Sequence, residues 1–155
     1  LEYIKFNFLG NSRVYLTTPT MRCVFGIEKS YKSFEFKLAF HNIDNDKTMK
    51  QFYDTIKMSE YIQMAQLGLK AEESNKYISQ IRQDKEQQYD PFLIVKLPFR
   101  YNKFDVDILY KDKSDLGIMD ISSGMMMKCN LYIDSIQKFN GKYICKWKCS
   151  FIQID

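Results

Sequence analysis

The sequence is poor in the residues and motifs on which catalysis usually depends. It has one histidine, His41, which excludes mechanisms and metal sites that need two. It contains neither a glycine-rich phosphate-binding loop nor a G-x-S-x-G nucleophile motif. Asp105 and Asp107 share a predicted strand face and could hold a metal, but a solvated acidic face explains the pair more simply. The sequence therefore predicts a protein that is not an enzyme and has no cofactor or metal.

Glycine, proline and long apolar runs are also scarce. Six glycines and three prolines in 155 residues, with 45% hydrophobic and 27% charged residues, are typical of folded globular proteins. No run of about 18 apolar residues occurs, as a membrane-spanning helix would require. We therefore expect one domain over residues 1–155 and no membrane partner.

None of the four cysteines belongs to a C-x-x-C pair. Cys145 and Cys149 lie four residues apart in a predicted strand, which separates them by about 13 Å. That distance is too long for a disulfide and unsuited to one metal ion. We interpret the cysteines as reduced, buried, small hydrophobic residues, which indicates an intracellular, reducing compartment.

Apolar residues alternate with polar ones in the first and last parts of the chain, which predicts strands there. The segments with this pattern are residues 4–8, 14–16, 34–40 and 104–110, and residues 92–97 form a dense apolar run. Aromatic residues make up 15% of the chain, and they favour strands and stacking surfaces.

The middle of the chain has helical periodicity instead. The cluster Asp44, Asn45 and Asp46 predicts a helix start, and apolar residues at helical spacing continue to about Leu67. Gly68 can end this helix. A second, more polar helix is predicted over residues 72–87, so we expect a helical insertion at about residues 45–87.

Strands that are segregated from helices favour a mainly β, α+β fold over a doubly wound sheet. A Greek-key barrel of the OB type, with its helical insertion between the third and fourth core strands, fits the predicted order of elements. We therefore predict one OB-like domain.

The last strands are predicted to form a hairpin around Asn140 and Gly141. A two-residue turn places charged residues opposite apolar ones, whereas a three-residue turn with left-handed Gly141 separates them. The second register pairs Leu131 with Cys149, Cys129 with Phe151, and Tyr132 with Lys148. Because it sorts apolar from polar residues, the sequence predicts the bulged hairpin.

Positive charge is concentrated in the predicted β segments. The net charge is +3 over residues 1–43, −2 over residues 44–90 and +3 over residues 91–155. In the predicted hairpin register, Lys128, Lys146 and Lys148 share a face with Tyr132. Such a face can bind a nucleic-acid strand, because cations follow the phosphates and rings stack on the bases. A solvated lysine face explains the same pattern without a nucleic acid.

A predicted hairpin tip at residues 99–103 adds a second group of candidates. It contains two cations and two aromatic rings, from which Arg100, Tyr101 and Lys103 are taken as nucleic-acid-binding candidates. The alternative is a turn without a binding role.

One short segment is similar to a known family motif. Residues 18–28 read TPTMRCVFGIE. They resemble the TP…CPFGI signature of the single-stranded-DNA-binding proteins of nucleocytoplasmic large DNA viruses, with Val24 where that signature has proline. Weaker matches follow in order: residues 34–38, the acidic helix start at residues 44–46 with residues 52–53, the segment 89–97, and the terminal hairpin with Trp147. The family in turn resembles podophage single-strand binders built on an OB barrel.

The resemblance implies a protein that coats single-stranded DNA during viral DNA replication, recombination and repair. Arg22 and Phe25 then become candidate strand contacts, although Arg22 could instead pair with an acid and Phe25 could belong to the core. Lys37, on the strand after the motif, completes the set. The implied partners are single-stranded DNA, replication proteins and a second copy of the chain. The implied location is a viral factory in the host cytoplasm, or the nucleus. The alternative function is a viral structural or protein-interaction component that binds no nucleic acid.

Overall fold

The computed structural model describes residues 1–5, 13–30, 33–112 and 115–155. Its strands before the helix are β1 (Glu2–Lys5), β2 (Val14–Thr17), β3 (Met21–Cys23), β4 (Glu28–Ser30) and β5 (Ser33–Ala39). Next come helix α1 (Lys47–Gln66), a 3₁₀ turn (Ala71–Lys76), β6 (Tyr77–Ile78), β7 (Ile81–Arg82), β8 (Phe92–Leu97), β9 (Phe99–Arg100), β10 (Lys103–Phe104) and β11 (Asp107–Tyr110). The last elements are a 3₁₀ turn (Ile118–Asp120), β12 (Met126–Ile133), β13 (Ser135–Phe139), β14 (Lys142–Ile144) and β15 (Trp147–Ile154).

Five strands close into a barrel in the order β3-β5-β8-β15-β12, and β12 pairs again with β3. β8 and β15 run parallel, whereas the other neighbours in the barrel are antiparallel. In chain order, the fifth barrel strand therefore lies between the third and the fourth, which is the Greek-key arrangement of an OB fold. The predicted mainly β, OB-like fold is confirmed.

Side chains on the barrel strands alternate between the core and the outer surface. On β5 and β8, every second side chain is buried, and the intervening ones face outward. The largest fully buried side chains include Phe36, Leu38, Leu93, Leu131 and Trp147. All of them belong to one hydrophobic cluster, so this pattern of alternation sets which residues remain on the outer surface.

The cysteines lie in this core. All four are free and buried, as predicted for reduced cysteines that act as small hydrophobic residues. Burial raises the pKa of the Cys145 thiol to about 12, which keeps it protonated.

Helix α1 begins at the predicted cap. The Asp46 side chain accepts a hydrogen bond from the Met49 N–H at 3.1 Å, and Gly68, with a φ of +71°, follows the helix end. Phe52 and Ile56 pack into the barrel core. None of the described helices combines the length and the apolar character needed to cross a membrane.

The position of α1 differs from the prediction. The helix lies between the second and third barrel strands, β5 and β8, and not between the third and fourth. Strand counting along the sequence was misleading because, of the strands before the helix, β3 and β5 alone belong to the closed barrel. β1 lies in another sheet, β2 extends along β12, and β4 flanks β5.

The second predicted helix, over residues 72–87, is wrong. Helical backbone is limited there to the 3₁₀ turn Ala71–Lys76, after which β6 pairs with β14 and β7 pairs with β8. Tyr77 and Ile81 are buried as strand residues. The rest of the segment is too polar to give a helix an apolar face, so the chain forms short paired strands there and not a second helix.

Outside the barrel, a second sheet has the order β1-β13-β14-β6. Residues 4 and 5 of the strand predicted over residues 4–8 belong to β1, and residues 6–8 lie outside the described residues. The strand predicted over residues 104–110 is interrupted, because β10 ends at Phe104 and β11 begins at Asp107.

The terminal hairpin combines both registers considered above. Asn140 and Gly141 have φ values of +52° and +75°, and Phe139 pairs with Lys142, so the turn has two residues and the predicted bulged turn is wrong. The predicted pairs Leu131–Cys149 and Tyr132–Lys148 are nevertheless present, whereas Cys129 pairs with Ile152. The register changes at the break between β12 and β13 and at a bulge near Asn130, which replace the predicted bulge in the turn.

Candidate nucleic-acid interface

A row of outward-facing side chains crosses five strands of the structure. In pairing register, Glu35 on β5 lies opposite Lys96 on β8, and Lys96 lies beside Lys148 on β15. Lys148 is opposite Tyr132 on β12, and Tyr132 is opposite Tyr15 on β2. With neighbouring strands about 4.8 Å apart, this row spans about 20 Å. These five residues are called the cross-barrel row below.

Two further lysines extend the positive charge of the row. Lys37 lies two residues after Glu35 on the same side of β5, and its Nζ atom is 5.5 Å from the ring centroid of Phe25. Lys146 directly precedes β15. Burial lowers the pKa of Lys146, and the charges of Lys96 and Lys148 lower it further. The ammonium groups are therefore close enough to repel one another.

Carboxylates partly neutralise this cluster. The Lys96 Nζ lies 2.7 Å from a Glu35 carboxylate oxygen, and the Lys37 Nζ lies 2.5 Å from one of Glu28. Burial alone would raise the pKa of Glu35, but the hydrogen bond from Lys96 and the neighbouring lysine charges outweigh it, so the pKa is lowered. Glu35 is therefore ionised at neutral pH.

At the other end of the row, Tyr132 belongs to an aromatic and cationic cluster. Its ring centroid lies 6.3 Å from that of Tyr15, and the Arg13 guanidinium carbon lies 4.9 Å from it. Arg13 and Lys148 both approach Asp134, at 3.6 and 3.4 Å. Tyr15 is 65% exposed, so one ring of the pair is available for stacking.

The β9–β10 hairpin packs on the barrel end next to the row. Phe99 and Phe104 pack on Phe34 at the barrel end, with ring centroids 4.8 and 4.9 Å away. The hairpin turn places Tyr101 at the tip, where it is 96% exposed. Burial raises the pKa of Tyr132, and the charge of Arg13, with a smaller effect from Arg100 on the hairpin, opposes that rise.

The structure brings most of the predicted site residues together. The residues in or beside the cross-barrel row are Phe25, Lys37, Tyr132, Lys146 and Lys148, and those on the adjacent hairpin are Arg100, Tyr101 and Lys103. Phe25 is 59% exposed, so the alternative of a core role is wrong. The contact of each residue with nucleic acid stays a prediction.

Two predicted residues lie apart. Arg22 lies on β3 next to Met126 and lines a cavity of about 460 Å³ near the start of α1, with no ion pair among the described residues. Lys128 is opposite Gln153 and four residues from Tyr132 on β12. That spacing is about 13 Å along the strand, too far for Lys128 to join the row.

Sequence reasoning missed several residues of this surface. Lys96, Glu35 and Tyr15 were not among the candidates, although the row depends on them. The signal for Lys96 was present: β8 alternates in burial, so Phe92, Ile94 and Lys96 share the outer face of a run that reads as uniformly apolar.

The residues considered for catalysis are not assembled into a site. The described residues contain no cluster of three or more histidine, cysteine or carboxylate side chains that could hold a metal ion. Asp107 is the first residue of β11 and Asp105 lies two residues before it, and both are exposed. The His41 Nδ1 atom lies 2.9 Å from Asp90 at an exposed position.

The fold is shared with single-stranded DNA-binding proteins of two bacteriophages. One, from bacteriophage Enc34, matches with a TM-score of 0.60 and 12% identity over 99% of this chain and 89% of that one. The Enc34 protein in complex with ssDNA matches with a TM-score of 0.61 and 11% identity, over 91% of this chain and 85% of that one. The gp2.5 protein of bacteriophage T7 matches with a TM-score of 0.55 and 11% identity, over 92% of this chain and 86% of that one.

No protein-family model matches the chain, and no curated protein matches it in sequence. The likeness to the phage proteins is therefore one of fold, and the interface must be argued from the residues of this chain.

Proposed function

We propose that this protein binds single-stranded DNA along the cross-barrel row without catalysing a reaction. The observation that carries this proposal is the row itself, in which Lys96 and Lys148 adjoin Tyr132 and Tyr15 in strand register. OB folds bind oligonucleotides on the face of their second and third strands, which here are β5 and β8. The row starts on that face.

The proposed binding mode combines ionic contacts to the phosphates with aromatic stacking on the bases. The lysines of the row follow the phosphates, and the tyrosines at its end stack on bases. Neither contact reads a base edge, so we expect affinity that tolerates changes of sequence and falls steeply with salt. The Enc34 protein with the same fold was solved in complex with ssDNA, which supports this choice of ligand.

The biological setting is part of the proposal. We infer that the chain is one domain and belongs to the single-strand binders of nucleocytoplasmic large DNA viruses, on the basis of the segment from Thr18 to Glu28. Its role would be to protect single strands during viral DNA replication, recombination and repair, together with replication proteins. Free, buried cysteines are consistent with a reducing compartment, such as a viral factory in the host cytoplasm, or the nucleus.

The test is fluorescence anisotropy with labelled single-stranded DNA, duplex DNA and single-stranded RNA, each titrated at low and high salt. Tight binding to single-stranded DNA that weakens with salt supports the proposal. Absence of binding to all three at low salt contradicts it, and stronger binding to RNA would change the proposed ligand.

A second function is favoured by a different surface. Tyr3 and Phe139, on the sheet outside the barrel, are 63% and 60% exposed. Exposed aromatic residues are enriched in protein interfaces, so a protein-interaction component is the alternative. A stable assembly with no affinity for nucleic acid in the same titrations would favour it.

A further inference from the structure

Glu35 occupies an unusual place for an acidic residue, because it lies among the lysines of the proposed DNA-binding face. Its Oε1 atom is 2.7 Å from the Lys96 Nζ, and its Oε2 atom is 3.7 Å from the Lys37 Nζ. Lys146 is near enough to affect its ionisation. The charged group on the side of β4 is Glu28, which pairs with the same Lys37. One carboxylate therefore faces three cations.

The carboxylate of Glu35 occupies the position that a backbone phosphate would need in order to contact Lys96 and Lys37. Carboxylate and phosphate oxygens accept charge-assisted hydrogen bonds from ammonium groups at similar distances. A strand that follows the row must therefore compete with Glu35 for Lys96 and Lys37. The Glu35 side chain is 17% exposed, so solvent screens its charge less than it would at an open surface position.

We propose that Glu35 is an internal competitor for the DNA phosphates, which holds Lys96 and Lys37 while the face is empty and limits the affinity for single strands. The inference rests on the proposed function and concerns how strongly that same site binds. A protein that coats single strands must also release them, and a built-in anion favours release by re-pairing with the lysines.

The decisive variant is Glu35→Gln, which keeps the size of the side chain and removes its charge. We expect single-stranded DNA to bind about three- to tenfold more tightly, because one repelling charge has left the face. The slope of log K against log salt should steepen by about 0.7, the value for one more neutralised phosphate on a single strand. Both values come from anisotropy titrations over a series of salt concentrations.

The control is Asp54→Asn, which makes the same change in net charge and also breaks an ion pair, with Lys50 at 3.0 Å on α1. We expect it to leave both values near those of the unmodified protein. Glu28→Gln is a second test, because Glu28 also pairs with Lys37. The Glu28 side chain is 39% exposed, so removal of its charge should disturb folding little. Like Glu35→Gln, this variant should bind single-stranded DNA more tightly than the unmodified protein.

The outcomes separate the inference from the proposed function. If the unmodified protein binds and Glu35→Gln binds equally or more weakly, Glu35 merely positions the lysines and the inference is overturned. An equal gain in Asp54→Asn would also overturn it, because the effect would be one of net charge. If the unmodified protein and all variants fail to bind, the proposed function itself falls.

Discussion

At the scale of single residues, Tyr132 connects the two kinds of contact that the proposed interface needs. It lies opposite Lys148 on one side and Tyr15 on the other, and the Arg13 guanidinium packs against its ring. A base that stacks on this pair of rings would keep its phosphates within reach of the lysines. The loss of the ring should therefore cost more than the loss of the hydroxyl.

We expect Tyr132→Ala to weaken single-stranded DNA binding by about 1–3 kcal/mol, the usual cost of one lost base stack. Tyr132→Phe should bind almost normally, since it keeps the ring. The matched control is Tyr61→Ala, which removes a tyrosine that is 63% exposed on α1. Anisotropy titrations measure all three, and equal affinity of the two alanine variants would remove Tyr132 from the interface.

A buried acid on α1 offers a separate residue-scale test, of stability. Glu60 is 4% exposed, and its carboxylate accepts hydrogen bonds from the Ser79 hydroxyl at 2.8 Å and the Gln80 N–H at 3.2 Å. Burial raises the pKa of Glu60 in spite of these donors and of Lys57. The ionised form therefore costs free energy in the folded state.

The folded state holds the Glu60 proton to higher pH than the unfolded chain, so this group contributes stability at low pH that is lost as the pH rises through its folded pKa. Glu60→Gln lacks this titration. We expect the free energy of unfolding of the unmodified protein, relative to Glu60→Gln, to fall as the pH rises from the ordinary range of a glutamate carboxyl, about pH 4, through the raised pKa of the folded state. Denaturant unfolding measures the difference, and parallel pH profiles would contradict the prediction.

At the scale of elements, the turn of the β9–β10 hairpin contains backbone strain that does not stabilise the fold, which suggests a function for the hairpin. Tyr101 and Asn102 both have positive φ values, +52° and +60°. Asparagine tolerates this region well, whereas a tyrosine is strained there. Since Tyr101 is also 96% exposed, its ring does not stabilise the fold in return.

We therefore expect Tyr101→Asn to stabilise the fold by about 1 kcal/mol, through relief of the left-handed strain. The same change should weaken single-stranded DNA binding, because the exposed ring at the tip is lost. Tyr101→Phe is the control, which should keep both the stability and the affinity. Thermal unfolding and anisotropy measure the two quantities, and unchanged affinity in Tyr101→Asn would remove Tyr101 from the proposed interface.

The elements also show which features local patterns can reveal. α1 and its Asp46 cap could be predicted because helical spacing and capping depend on neighbouring residues. The residues 72–87 were misread because their few apolar side chains are buried by strands distant in sequence. The cross-barrel row could not be predicted, since its step from Lys96 to Lys148 depends on the parallel pairing of β8 with β15, 52 residues apart. Such pairing depends on barrel closure and has no local signature.

At the scale of the whole molecule, the proposed binding depends more on where positive charge lies than on the size of the net charge. A net charge of +4 is modest for a chain of 155 residues, and the segment with α1 is slightly acidic. Barrel closure instead gathers Lys37, Lys96, Lys146 and Lys148 on one side. In the proposed function, this local concentration of cations is what lets a weakly basic protein follow a phosphate backbone.

The ligand should then stabilise the folded protein as a whole, because the row exists in the closed barrel and not in the unfolded chain. Single-stranded DNA at about one hundred times its Kd should add about 2.7 kcal/mol, or about 5–10 °C in Tm for a domain of this size. Differential scanning fluorimetry measures the shift. It should shrink as salt is added and be smaller with duplex DNA, whose bases are not free to stack. An equal shift with duplex DNA would mean that charge alone drives binding and that the tyrosines of the row do not contribute.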